Sequence, residues 1–556
     1  MLRLFAVSAT LTVALAACDT GDDIEEAEPA TDSGLFPGQT VTLHDSYVAR
    51  TNTVQSVGAP LPEDGERWNG HGWVFVANEV GRGLTVLDLR TLEPVEFIYS
   101  EESAVPHHPY LSPDQRWVIT NARFGNEVMV TDTHNDFETD FLEFPEGEDD
   151  VAGPLHGTYS HDGQYFVVSL QRSGRVGVID MEADGGPEIL EVLDIGDRPR
   201  DVYITPDNAK AFISMQGEDT VGVLEIGTWE IRYIERSDAD YSSAGGGGGG
   251  MAVDGELFSI SNTPENEVLI IDTDTEEVVH RVSDVPAPVN SEFLGNTHIV
   301  GTGNRSDGSA SFIDAHTGEL LATVETGGGA NIPYLGPDGN YWVSHNGDQH
   351  ISVLDPETFE ILEEVTTGVN PHWIHFLPSG TRALVTNWGE NSISVVDTSN
   401  YRELTKTTTG LNPNGIVVKT DITRQEAAAA LERGLHEGRS DVELAAEMVL
   451  PEPQDRQEEI FLNNCAQCHD LGRVVRNNAS SEENWNEIVL RMVGNGAQLD
   501  EEEIDEVVTY LTDDRQDDLD FGTRLDEQHG RLESAEEAPE AEEPAEIDET
   551  AASGRR

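Results

Sequence analysis

The chain has 556 residues, enough for two or three domains at roughly 100–200 residues each. It carries 106 acidic against 32 basic side chains, a net charge of −74, and its only lysines are Lys210, Lys406 and Lys419. So acidic a surface excludes nucleic acid as a partner, because counterion release needs clustered Lys and Arg, and it repels anionic lipid.

The N-terminal stretch MLRLFAVSATLTVALAAC has one early positive charge, Arg3, followed by an apolar run of signal-peptide length. Leu15-Ala16-Ala17-Cys18 resembles the bacterial lipobox. That resemblance implies a signal peptide over 1–17 and a mature protein that begins at a lipid-modified Cys18. An ordinary signal peptide with a chance cysteine is the alternative. Asp19 resembles the inner-membrane retention signal of enteric lipoproteins. Residues 18–40 are acidic, with Gly, Pro and Ser, and read as a flexible tether.

From residue 41 to 420 a repeat dominates. Short hydrophobic segments ending in an acid close at Asp88, Asp132, Asp180, Glu225, Asp272, Asp314, Asp355 and Asp397. Ahead of several lies a second element, as in PHHPYLSPD, PLHGTYSHD, PRDVYITPD and PHWIHFLPSG. Each unit reads as four short strands separated by turns, which is the blade of a β-propeller. The first unit lacks its leading strand, and LNPNGIVVK at 411–419 supplies an extra copy, so the ring is expected to close by pairing that strand into the first blade. Eight blades are expected, or seven if one unit is irregular. The fifth unit, with a glycine run over 245–250, and the shortened sixth are the weak ones.

The first strand of each blade lines the channel, and residues just after its leading Pro stand at the channel mouth. His107, His108, His156 and His372 hold those places, and imidazoles are the commonest metal ligands. The repeat resembles YVTN-type propellers, and more narrowly the propeller of nitrite reductases that carry a d-type haem. HHPYLSPDQRWVITNARFGNEVMVTD resembles the blade that supplies that haem's axial histidine, which implies His107 as the ligand. Arg200 falls where an arginine faces the haem carboxylates, while Asn290 stands where one of the family's distal histidines would be. A second resemblance, of His107-His108 and Leu155-His156-Gly157, is to copper propellers such as nitrous oxide reductase. It implies a one- or two-copper site drawn from His107, His108, His156, His372 and His375, while Arg200, Met251, Asn290 and Asn331 stand at the remaining ligand places.

An Ala/Glu/Arg-rich amphipathic stretch over 421–451 reads as a helical linker. Residues 452–516 form a small α-helical domain around FLNNCAQCHD. Cys465, Cys468 and His469 make the C-x-x-C-H signature of a covalently bound haem c, with His469 on the iron. With Cys18 these two cysteines exhaust the cysteines of the chain, so no structural disulfide is available. Met492 is the only methionine after His469, on a helix opened by the capping pair Ser480 and Glu483, and is the expected sixth ligand. The domain resembles class I cytochromes c, and His/Met ligation implies a relatively high potential. Residues 517–556 read as a disordered acidic tail.

The expected protein is therefore multidomain, an all-β propeller followed by an all-α cytochrome c domain. Its expected place is the periplasmic side of a bacterial membrane, where haem is attached to C-x-x-C-H, held there by a lipid anchor. Its expected role is electron transfer with a periplasmic carrier, coupled to ligand binding or oxidoreductase chemistry on a small molecule at the channel. A non-catalytic binding or assembly protein is the alternative. The sequence assigns no catalytic acid, base or nucleophile: no phosphate loop, serine elbow or HExxH motif occurs.

Overall fold

The computed structural model describes residues 41–42, 67–68, 70–79, 81, 83–100, 105–145, 151–236, 246–434, 504 and 507–508. The stretches expected to be signal peptide, tether and acidic tail, together with Cys18, Cys465, Cys468, His469 and Met492, lie outside them. The described residues form a propeller-like stack of antiparallel sheets. Six sheets have four strands each, and one has eight, made of two four-stranded units in chain order that share a parallel contact between Gly248 and Asn290. A short pair, Val41–Thr42 with Arg67–Trp68, stands apart.

Each unit runs outward from an inner strand. Pro106–Leu111, Trp117–Ala122, Glu127–Asp132 and Glu138–Glu143 make one such unit. The inner and third strands are buried at every position, whereas the fourth alternates toward solvent and carries Glu138, Asp140 and Glu143. On this outer strand the carboxylates stay hydrated.

The recurring acid at the end of the third strand has a structural cause. Asp88 Oδ1 accepts from the backbone N–H of Arg90 and Thr91, at 3.0 and 2.8 Å, and so closes the turn into the fourth strand. Asp272, Asp314, Asp355 and Asp397 make the same kind of bond. These are turns in which a short carboxylate stands in for a backbone acceptor.

The core is divided into clusters between neighbouring units rather than gathered at one centre. Val74, Val76 and Leu87 of the first unit pack on Leu384, Ile393 and Val395 of the last. The strand at the end of the repeat, Pro413–Lys419, pairs antiparallel with Trp73–Asn78, with Trp73 opposite Lys419. Buried Lys419 Nζ pairs with Asp421 and donates to the Gln115 carbonyl at 2.8 Å, tying this strand to the second unit. Helix α1 (Arg424–Gly434) follows, opened by a reciprocal cap between Thr423 and Glu426. Its Ala427 and Ala430 pack with Ile422 on the cluster shared by the first two units. Among the described residues no helix is long and apolar enough to cross a membrane.

The weak fifth unit shows why its glycines are needed. Gly246–Met251 is its inner strand, and a side chain on Gly247 would run into the Val289 carbonyl. A Cβ on Gly248 would lie 2.5 Å from Asn290 Oδ1 and 2.6 Å from Arg200 Nη1. The run gives up side chains so that the next inner strand, Asn290–Phe293, and Arg200 can approach.

Candidate functional site at the channel mouth

Two sets of positions build the site. The first is a repeated register shift near the start of the inner strand. Pro106 opposes Ala122 while Pro109 opposes Thr120, so His107 and His108 stand where the ladder carries one extra residue. The same shift frees Leu155-His156, Arg200-Asp201, Gly247-Gly248, Asn331-Ile332, His372-Trp373 and Asn414-Gly415. Bulges re-aim side chains, and here they turn one end of every unit but the sixth toward a common space. The second set is the residue that follows the second strand, at the same end of the unit. It comprises Glu79, Arg123, Gln171, Gln216, Arg305, Asn346 and Trp388.

Apart from Glu79 and the glycines, these residues line an open cavity of about 140 Å³. His107, His108, His156, Arg200 and His372 all line it. His375 does not. It lies farther along the Pro371–Phe376 strand, opposite Leu384. Met251 also departs from its expected place: it ends its strand inside the apolar cluster of the fourth and fifth units, and glycines occupy the mouth position. Glu79, Arg123, Arg305 and Trp388 were missed. Their signal was present in the sequence as the first residue beyond each second strand.

One side of the cavity is imidazole and indole. His107 Nδ1 lies 2.5 Å from Glu79 Oε1, with both residues buried. Burial alone would raise the Glu79 carboxyl, but the His107 hydrogen bond and the charges of His107 and Arg123 outweigh it and hold it down at about 2. Glu79 is therefore ionised and accepts, which places the proton on His107 Nδ1 and the lone pair on Nε2. Trp388 Nε1–H is shared between Asn412 Oδ1 at 2.5 Å and Glu79 Oε2 at 3.2 Å, and Asn414 Nδ2 packs 3.0 Å from His107 Nδ1. Trp388 stacks on His372 at 5.0 Å between ring centroids, and Trp373 lies 4.7 Å from His108. The Nδ1 atoms of His108 and His372 are buried without a partner among the described residues. Gly415 has no side chain because one would collide with His108.

The other side is a relay of charges and amides. Tyr110 Oη is 3.0 Å from His156 Nδ1, and His156 Nε2 is 3.5 Å from Asp201 Oδ1. Asp201 Oδ2 accepts from Arg200 Nη1 at 2.9 Å, and the same nitrogen donates to Asn290 Oδ1 at 3.0 Å. Asn290 then donates to Asn331, which also accepts from Arg305. Burial raises the carboxyls of Asp201 and Glu292, the latter well above the usual range. Burial also holds His108 and His156 well below the usual imidazole range and His372 at about 3, so these rings are neutral bases at pH 7.

The lining combines imidazoles with guanidiniums around one opening. Among the described residues no three His, Cys, Asp or Glu side chains are gathered to hold one ion. The copper alternative therefore finds no ligand set among the described residues: His375 stands outside the cavity, and both nitrogens of His156 are engaged. A tetrapyrrole asks for something different, one basic nitrogen toward its metal and cations toward its carboxylates. His107 and the three guanidiniums of Arg123, Arg200 and Arg305 supply both around one opening.

Fold and site together describe a β-propeller with a channel-mouth pocket. No family model matches the chain. It is similar to Protein NirF of Pseudomonas aeruginosa, 24% identical over 223 residues, 36% of this chain and 54% of that protein. Protein NirF of Stutzerimonas stutzeri is 23% identical over 221 residues, 38% of this chain and 56% of that protein. The chain thus spans about half the length of the curated relatives it matches. Among solved structures, the dihydro-haem d1 dehydrogenase NirN in complex with DHE shares the fold. Its TM-score is 0.52 at 18% identity, over 69% of this chain and 81% of that one.

Proposed function

We propose that this chain is an eight-bladed propeller that binds a d1-type tetrapyrrole at its channel mouth and exchanges electrons through a covalent haem c on the same chain. The observation that carries the reading is the division of one cavity into a ligating side and an anion-pairing side. Planar guanidiniums pair with carboxylates in two parallel hydrogen bonds, so Arg123, Arg200 and Arg305 suit an acidic macrocycle's edge. His107 Nε2 is the metal-facing atom, and Trp373 and Trp388 exclude water beside it. When bound, the macrocycle's metal supplies a redox centre.

The fold shared with the dihydro-haem d1 dehydrogenase NirN supports the d-type choice among tetrapyrroles. The haem c, held by Cys465 and Cys468 with His469 and Met492 on its iron, is the electron port toward a periplasmic carrier. A lipid on Cys18 keeps the protein at the membrane. Holding the macrocycle during assembly is the primary role, because most polar groups of the mouth are already tied to one another and are built to position. Oxidoreductase chemistry is the second reading. The linked Tyr110, His156 and Asp201 favour it, since such a chain can move a proton to or from a bound ligand.

The test is cofactor content. Protein exported and matured in a haem c-competent host is analysed for iron per chain, copper and extractable pigment, and then titrated with d1-type haem. The expected result is one covalent haem, no copper and uptake of one further tetrapyrrole, which His107→Ala abolishes and Arg200→Ala weakens. A chain that takes up no second tetrapyrrole overturns the reading.

A further inference from the structure

Of the cavity's histidines, His107 alone has one ring nitrogen fixed on a carboxylate while the other takes no hydrogen bond from a described residue. The Nδ1 atoms of His108 and His372 are unpartnered, and His156 is held on both sides. The carboxylate that holds His107 is itself held. Glu79 is 3% exposed, has Trp388 Nε1–H, which it shares with Asn412 Oδ1, 3.2 Å from Oε2, and has Arg123 Nη1 3.7 Å from Oε1. It can neither turn to solvent nor rotate off the ring without leaving a buried charge unpaired. The distance of 2.5 Å is at the short end for a charge-assisted bond. Glu79 and His107 come from neighbouring units and Trp388 from the last one, so the trio exists only once the sheets have packed.

Resting on the tetrapyrrole reading above, we propose that Glu79 is a positioning residue that gives His107 imidazolate character, so that the site favours the oxidised form of an iron tetrapyrrole. A histidine that donates its outer N–H to a carboxylate is fixed in tautomer and orientation, and its other nitrogen is more basic. A more basic nitrogen stabilises ferric over ferrous iron, because the higher charge gains more from the added electron density. Trp388 and Arg123 keep the carboxylate in place against the competing pull of water at the mouth.

The experiment uses the full-length protein and haemin as the probe. Haemin is titrated into wild type, Glu79→Gln, His107→Ala and Trp388→Phe. The iron–imidazole stretch of the ferrous complex is read by resonance Raman after subtraction of the spectrum recorded before haemin is added, and the midpoint potential of the added haem is measured. Wild type is expected to show a stretch that His107→Ala removes. Glu79→Gln should move that stretch to lower frequency, raise the potential and weaken ferric haemin binding about 10–100-fold. Trp388→Phe should move each readout the same way by less, and it decides the matter if Glu79→Gln does not fold. An unchanged stretch and potential in a folded Glu79→Gln that still binds through His107 overturns the inference alone. A wild type with no such stretch, or one that survives His107→Ala, overturns the underlying reading instead.

Discussion

Lowering the pH from 7 to 5 should destabilise this propeller through its buried histidines. His372 is held at about 3 and His345 at about 4, both by burial, against an ordinary value of 6.5. Above 6.5 neither the folded nor the unfolded chain binds these protons, and the groups contribute nothing to the pH dependence. Below 6.5 the unfolded chain takes them up and the folded chain does not, so stability falls as pH falls. At pH 5 both folded values are still below the ambient pH. Each histidine then costs about 1.5 pH units at 1.36 kcal/mol per unit, roughly 2 kcal/mol, or about 4 kcal/mol for the pair. His108 and His156 are shifted the same way, well below the imidazole range, and add to the loss. Set against a typical stability of about 5–15 kcal/mol, this is a large fraction. The buried carboxylate Glu79, held at about 2, loses its contribution in a lower window, as pH falls from 4.5 through 2, whereas Asp201 and Glu292, raised by burial, take up protons first in the folded chain and oppose the histidines as pH falls. Urea unfolding followed by tryptophan fluorescence at pH 7, 6 and 5, at fixed high salt, measures the slope. His345 lies outside the cavity, with Nδ1 2.9 Å from the His350 carbonyl, a bond a glutamine N–H can replace. His345→Gln should therefore remove roughly 2 kcal/mol of the loss between pH 7 and 5, an average of about 1 kcal/mol per pH unit. The difference between the two slopes isolates His345 from the opposing carboxyls, and a variant with the wild-type slope refutes the reasoning.

Gly248→Val should force Arg200 and Asn290 apart, since its Cβ would sit within 2.6 Å of both side chains. A loss of about 1–3 kcal/mol on thermal unfolding is expected from the overpacking. Tetrapyrrole uptake should fall in parallel, and full uptake would place the Arg200–Asn290 pair outside the binding mouth. Met492→Ala should remove the sulfur-to-iron charge-transfer band from the spectrum of the oxidised haem c, and an unchanged spectrum overturns the ligand assignment.

The cavity histidines were readable in advance because the bulge that aims them recurs at one place after the leading residue of the inner strand. His107-His108, Leu155-His156 and His372-Trp373 share that place, and a repeat transfers position from one unit to the next. His375 and Met251 show where the pattern blurs. Both lie on inner strands, but farther along, where the ladder has returned to register and side chains meet apolar neighbours or the next strand. Glu79 and Trp388 were not readable as partners, because they are separated by 309 positions and are joined only by ring closure.

From the amino-acid order alone came the fourfold strand pattern, the recurring acids, the missing strand and its late copy, and the C-x-x-C-H spacing. Each is local, set by alternation, by a side chain bonding its own turn, or by cysteine spacing. Only the tertiary structure decided which side chains face one another across the mouth. The His107–Glu79 pair, the linked run from Tyr110 through Arg200 to Asn331, and the glycines that make room for it all arise between units. Their geometry depends on how far each sheet is rotated and packed against its neighbours, and no single stretch of chain encodes that.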